Sequence, residues 1–206
     1  MAARLLIVRH GESTWNSEGR WQGQADPPLS ALGEQQARDA ARHLAKHPEG
    51  ELAIDAVWSS DLLRAARTAD IVAAELGLTV RLDPRLRERD AGEWQGLTRD
   101  EIEHDWPGAL AAHERPPGFE HDDALLVRVR AAVDDIAVAH PGQAVLAVAH
   151  GGVVRTLERH LGDDDRGLLA NLGGRWFRLD GTGSEPSLGE RVLLLEEAAV
   201  TTPEQI

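Results

Sequence analysis

"LLIVRHGEST" occupies Leu5–Thr14. Four apolar residues run directly into Arg9, His10 and Gly11. A short apolar run that ends on charged residues and a glycine reads as a buried strand, here residues 4–8. The stretch "AVLAVAHGG", residues 144–152, has the same form. Its near-continuous apolar character is that of a strand covered on both sheet faces. In parallel α/β sheets, ligands gather beyond the carboxyl ends of the strands. If the two strands are neighbours, His10 and His150 share one cleft. One histidine at a strand end is ordinary; two, each followed by glycine, mark a candidate site. Glycine lets the backbone approach a ligand, and a helix starting there offers free amides to an anion. Arg9 and His10 point to opposite faces of a strand unless the chain turns, and Gly11 is expected to make that turn.

The rest of the chain alternates strands with helices. Ser30 is expected to cap a helix with apolar spacing at Leu32, Ala37, Ala40, Ala41 and Leu44, ended by Pro48 and Gly50. Residues 54–60 read as a strand. Residues 61–76 read as a helix opened by Asp61 and closed by Gly77. Residues 78–82 read as a third strand. Thr98 and Glu101 stand at capping-box spacing. Residues 107–123 are irregular, residues 124–140 and 152–161 read as helices, and "GRWFRLD" (174–180) and "RVLLLEE" (191–197) as two closing strands. The tail from residue 198 is expected to be loose. The pattern predicts an α/β fold, a three-layer sandwich with a mostly parallel central sheet, in one domain over 1–206.

Composition narrows the function. The 206 residues carry a formal net charge of -13 and no cysteine. Disulfides, zinc-thiolate sites and cysteine nucleophiles are excluded. The acidic balance and the lack of a basic patch argue against nucleic acid, and no apolar run suggests a membrane partner. The expected location is cytoplasmic. An anionic substrate would need positive charge supplied locally by its pocket.

Such charge is at hand. Arg9 carries a forked donor array suited to phosphate. In "SSDLLRAARTA" (59–69), Arg64 falls in the first turn of a helix that follows a strand, and Arg67 lies three residues on. A carboxylate that could move a proton comes from "LRERDAGEWQG" (86–96), as Glu88 or Glu93. Two histidines could also suggest zinc, but the flanking arginines oppose a second cation, and no metal is expected.

These motifs resemble the histidine phosphatase superfamily, the phosphoglycerate mutase-like family. The resemblance rests on "VRHGESTWN" (8–16), "RWQGQADPPLSALGEQQA" (20–37), "SSDLLRAARTA" (59–69), "LRERDAGEWQGLT" (86–98) and "VAHGG" (148–152), and spans nearly the whole chain. It implies that His10 is the nucleophile that becomes phosphohistidine, that Arg9, Arg64 and His150 hold the phosphoryl group, and that Glu88, not Glu93, is the proton donor. Asn16, Gln22, Gly23 and Gly151 match positions lining the phosphate site. Arg67 matches no family role. The resemblance implies no cofactor and a small phosphorylated metabolite as substrate. Relatives are often dimers, so a homodimer stays open.

Within the family, mutases carry two adjacent arginines in an insertion where this chain has only Arg115 in "WPGALAAHERPPGFEH" (106–121). "ERDAG" (88–92) also lacks the aromatic typical of mutases. Both departures favour the phosphatase branch over a bisphosphoglycerate-dependent mutase or a non-catalytic phosphoester-binding protein. Residues 104–123 are expected to form a specificity lid. There, Phe119 is read as packing, Glu120 as a candidate pocket residue, and His104 and His113 as solvent-facing. His121 stands where the common phosphatase form has serine. Trp176 and Phe177 are read as core.

Overall fold

The computed structural model describes residues 2–163, 169–181 and 183–195. The strands are β1 (Ala3–Arg9), β2 (Ala56–Ser59), β3 (Val80–Leu82), β4 (Ala144–Ala149), β5 (Gly173–Leu179) and β6 (Ser187–Leu193). The helices are α1 (Thr14–Ser17), α2 (Ala31–Ala45), α3 (Leu63–Leu76), α4 (Arg99–Asp105), α5 (Asp122–Ala139) and α6 (Gly151–His160). One sheet runs in the order β3-β2-β4-β1-β5-β6. β1, β2, β3 and β4 pair in parallel, while β5 runs antiparallel to both β1 and β6. This is the mostly parallel sheet that the sequence predicts.

Period-two alternation along β1 separates the two faces. Leu5 and Ile7 pack with Leu125, Val129 and Val133 of α5 and with Val153 and Leu157 of α6. Leu6 and Val8 pack on the other face with Ala40 and Leu44 of α2 and with Ala69 and Val72 of α3. All four β1 side chains are completely buried. Burying each contributes roughly 1.5–3 kcal/mol relative to exposure. The central strands are therefore anchored on both sides up to the point where the histidines follow.

Local chemistry explains the element ends. Ser30 accepts from the Gly33 N–H at 3.0 Å and caps α2, as expected. Thr98 and Glu101 form the reciprocal capping box of α4. Gly77 ends α3 at φ 69°, the left-handed conformation that glycine adopts freely. Asp61 does not open α3: the N-cap is Leu62, without a side-chain bond. Asp61 instead takes a forked pair from Arg87, at 2.7 and 2.6 Å. An arginine with two donors outcompetes a single amide for that carboxylate. The last strand starts at Ser187, before the apolar run, because an edge strand needs only one covered face. Glu196, Glu197 and the tail at 198–206 lie outside the described residues. Among the described residues, no helix is long and apolar enough to cross a membrane.

Candidate active site

β1 and β4 are adjacent, with Arg9 level with Ala149. His10 and His150 therefore leave the sheet side by side, with ring centroids 5.2 Å apart in an edge-to-face arrangement. His10 Nδ1 lies 2.6 Å from the Gly11 carbonyl oxygen. A carbonyl only accepts, so Nδ1 carries the proton and Nε2 keeps its lone pair. Arg64 Nε donates to that Nε2 at 3.1 Å. Burial first, and then the charges of Arg64 and Arg9, hold the imidazole pKa well below the ordinary histidine value. The ring is neutral at neutral pH, and its unprotonated Nε2 keeps a lone pair.

Gly11 is needed for a reason other than the expected turn. Its φ is not among the positive values. A Cβ here would stand 2.6 Å from the Gly33 carbonyl oxygen, so the loop after β1 lies against the start of α2 with no room for a side chain. The Asn171 side chain also fixes this backbone, donating to the His10 carbonyl at 2.8 Å.

Arg64 is fully buried. Its Nη1 and Nη2 donate to the carbonyls of Ala25 at 2.8 Å and Gly23 at 2.9 Å. Arg9 is 1% exposed. It donates through Nη1 to the Leu169 carbonyl at 2.8 Å, while its Nη2 is buried without an acceptor. Burial lowers both guanidinium pKa values, and for Arg9 the charges of Arg155 and Arg64 add to the effect. His150 is fully buried, with Nε2 2.9 Å from Ser60 Oγ and Nδ1 unpartnered. Burial and Arg64 lower its pKa as well.

Glu88 stands across the cavity. Its Oε1 accepts from the Arg89 N–H at 2.8 Å and its Oε2 from the Gly152 N–H at 2.9 Å. The loop that carries it is clasped by Arg128, which donates to the carbonyls of Arg85, Arg87 and Glu88 at 2.6–2.9 Å. Arg128 also pairs with Glu120 at 2.7 Å. Glu120 does not line the cavity; it faces Arg128 and the Asp90 N–H.

These groups open onto a cavity of about 620 Å³. Arg9, His10, Asn16, Gln22, Gly23, Arg64, Glu88 and Gly151 all line it. His150 does not; it backs the His10 ring. Glu93 is exposed outside it, and Arg67 pairs on the surface with Glu34 at 3.3 Å. Asn16 and Gln22 are tied together through Ser13, whose N–H donates to Asn16 Oδ1 at 3.2 Å and whose hydroxyl donates to Gln22 Oε1 at 2.7 Å. Phe119 both packs, edge-on to Trp94 at 6.5 Å, and lines the wall. His113, expected in solvent, is exposed but lines the mouth, as do Arg115 and His121. Trp176 and Phe177 pack into the two core layers.

The sequence reading missed Arg20, Trp21, Arg89, Arg155 and Arg159, which also line the cavity. Arg155 and Arg159 follow Gly151 at helical spacings of four and eight residues. That periodicity was the available signal.

The model of the histidine phosphatase superfamily (branch 1) matches residues 5–174. The chain is 41% identical over 163 residues to phosphoglycerate mutase-like protein 4 of Arabidopsis thaliana, covering 75% of this chain and 69% of that protein. It is 38% identical over 173 residues to glucosyl-3-phosphoglycerate phosphatase of Mycobacterium tuberculosis, covering 78% and 75%. The structure of the mycobacterial glucosyl-3-phosphoglycerate phosphatase with VO3 superposes with a TM-score of 0.76 at 34% identity, covering 90% of this chain and 96% of that one. The chain belongs to the histidine phosphatase superfamily.

Proposed function

We propose that this protein hydrolyses small phosphomonoesters through a phosphohistidine at His10, without a metal. The observation that carries the reading is the state of His10: neutral, with Nδ1 pinned to a carbonyl and the Nε2 lone pair set among buried guanidinium groups. The Nε2 lone pair attacks phosphorus and the P–O ester bond breaks. Arg64 turns its Nε–H from Nε2 to a phosphoryl oxygen, and Arg9 offers its unpartnered Nη2 to another. Donors fixed before the reaction lose little reorganisation energy during it. Glu88 is the group that gives a proton to the leaving oxygen. Its carboxylate then takes a proton from water, whose oxygen attacks phosphorus as the P–N bond breaks. His150 backs the nucleophile, with its free Nδ1 as a further polar partner.

Hydrolysis is favoured over phosphoryl return to a second hydroxyl by the lid. Arg115 sits over the rings of Phe119 and Trp94, at 5.2 and 5.7 Å, and residues 104–123 contain no second arginine. We propose residues 104–123 as the specificity lid. It is pinned to the Glu88 loop by the Glu120 N–H to the Asp90 carbonyl and by the Glu93 N–H to the Pro117 carbonyl, at 3.0 and 3.2 Å. Arabidopsis and mycobacterial relatives named for phosphoglycerate chemistry support a phosphorylated metabolite as substrate.

The test is leaving-group dependence. In Glu88→Gln, kcat/KM is expected to fall by roughly 10²–10⁴-fold for an alkyl phosphate, the usual contribution of general acid catalysis, and by far less for an activated aryl phosphate. Equal losses on both would refute Glu88 as the proton donor.

A further inference from the structure

β2 runs beside β4, with Ser59 level with Val148. The next residue, Ser60, donates its N–H to the Val148 carbonyl at 2.9 Å. Both segments leave the sheet together, so Ser60 meets His150 just past the end of β4. Both side chains are completely buried. Ser60 Oγ lies 2.9 Å from His150 Nε2 and accepts from the Leu62 N–H at 3.3 Å. No step of the phosphoryl transfer uses Ser60.

Burial and the charge of Arg64 keep the His150 ring neutral. One ring nitrogen therefore carries a proton and the other a lone pair. Hydrogen-bond satisfaction tells them apart. With the proton on Nε2, the ring would donate to Ser60 Oγ. The Ser60 hydrogen would then have no acceptor among the described residues, and Nδ1 would be a buried lone pair without a donor. With the proton on Nδ1, the Ser60 hydroxyl donates to Nε2, and only the Nδ1–H is left over. One unmade buried bond costs less than two. The leftover group also suits the site. Phosphoryl oxygens only accept, so an N–H attracts them where a lone pair would repel them. The His150 and His10 rings stand 5.2 Å apart. A buried donor without an acceptor loses free energy that such an oxygen recovers.

We propose that Ser60 is a positioning residue: its hydroxyl donates to His150 Nε2, holds the ring proton on Nδ1, and so makes His150 an N–H donor to the phosphoryl group carried by His10. This rests on the phosphohistidine reading above and adds to it what sets the state of the second histidine. Nothing local in "VWSSD" (57–61) distinguishes Ser60 from Ser59. Ser59 Oγ donates instead to the carbonyls of Ser60 and Val148, at 2.8 and 3.2 Å.

Long-range proton–nitrogen NMR spectra of the labelled protein read the tautomer directly, with His150→Gln assigning the signals by their loss. The wild type is expected to show His150 protonated at Nδ1 and bare at Nε2. Saturating inorganic phosphate is expected to move the Nδ1 proton downfield. In Ser60→Ala, His150 is expected to populate both tautomers, and phosphate to bind roughly 3–10-fold more weakly, the range of one neutral hydrogen bond. kcat/KM should fall by a similar factor on alkyl and activated aryl phosphates alike, because the donor acts on the phosphoryl oxygens and not on the leaving group. That variant also unpairs the Leu62 N–H, which lowers the melting point but does not decide where His150 carries its proton. Ser60→Thr, which keeps a hydroxyl, is expected to restore tautomer and affinity. A proton on Nε2 of wild-type His150 would overturn the proposal, as would an Nδ1 proton that phosphate leaves in place. Wild-type tautomer and phosphate affinity in a folded Ser60→Ala protein would do the same. If Ser60→Ala does not fold, the wild-type spectra still decide. Neither spectra nor binding need turnover. Phosphate bound by an Nδ1–H without hydrolysis of any ester removes the phosphatase reading and keeps the role of Ser60; hydrolysis with the proton on Nε2 does the reverse.

Discussion

Gly152→Ala separates catalysis from stability at one atom. A Cβ on Gly152 would lie 2.1 Å from Glu88 Oε1, where ordinary contact begins at 3.4 Å. The nearest obstacle is the far end of a flexible side chain, so the protein folds and the carboxylate retreats, by about 1.3 Å from those two distances. The 2.9 Å bond from the Gly152 N–H to Oε2 breaks with it. Misplacing a reacting group by ~1 Å can cost ~10²-fold in rate. We expect kcat/KM for an alkyl phosphate to fall ~10–100-fold, with a much smaller loss for an activated aryl phosphate. Stability should barely change. Gly152 is in the first turn of α6, where alanine gains up to ~1 kcal/mol of helix propensity, close to the ~0.5–1.5 kcal/mol of the lost hydrogen bond. The assay is paired steady-state kinetics on the two substrates with a thermal melt. Full alkyl phosphatase activity in a folded Gly152→Ala protein would refute the placement of Glu88, as would equal losses on both substrates.

Arg64→Ala removes the donor to His10 Nε2 and is expected to weaken competitive inhibition by phosphate or vanadate at least ~10-fold, since one charge-assisted bond is worth ~1.5–3 kcal/mol; an unchanged inhibition constant would take Arg64 out of the site. His10 and His150 are both held neutral by burial. Below the unfolded value of ~6.5 the unfolded chain binds protons that the native protein does not, so stability present above pH ~6.5 is lost on acidification, by up to ~1.4 kcal/mol per pH unit for each group. Denaturant unfolding from pH 7.5 to 5 should show a shallower loss in His10→Gln than in the wild type; identical slopes would mean that His10 is not buried neutral.

Much of this architecture can be read along the chain, because it follows from short-range rules. β1 and β4 are apolar runs ended by histidine, and the cap at Ser30 and the box at Thr98–Glu101 are local signatures. What resisted reading depends on tertiary competition. Asp61 has the right spacing for a cap, but Arg87, distant in sequence, takes it. Arg128 and Asn171 position Glu88 and His10 through backbone carbonyls, which carry no residue-specific signal. Arg155 belongs to no local motif and reaches the site only because α6 forms part of the cavity wall. Gly11 drew attention as a turn residue, whereas its role is to clear space for the backbone of Gly33.

The central claim is a covalent bond between phosphorus and His10. Glu88→Gln should form it readily from an activated aryl phosphate, which needs no acid, and release it slowly, because the base for water is missing. Quenching that variant in alkali during turnover of a labelled aryl phosphate, then mapping the label, tests the claim directly. The account predicts an alkali-stable, acid-labile phosphoryl group on the tryptic peptide of residues 10–20, where His10 is the single histidine. A burst of phenol that leaves no label on that peptide, or label on another residue, would contradict it.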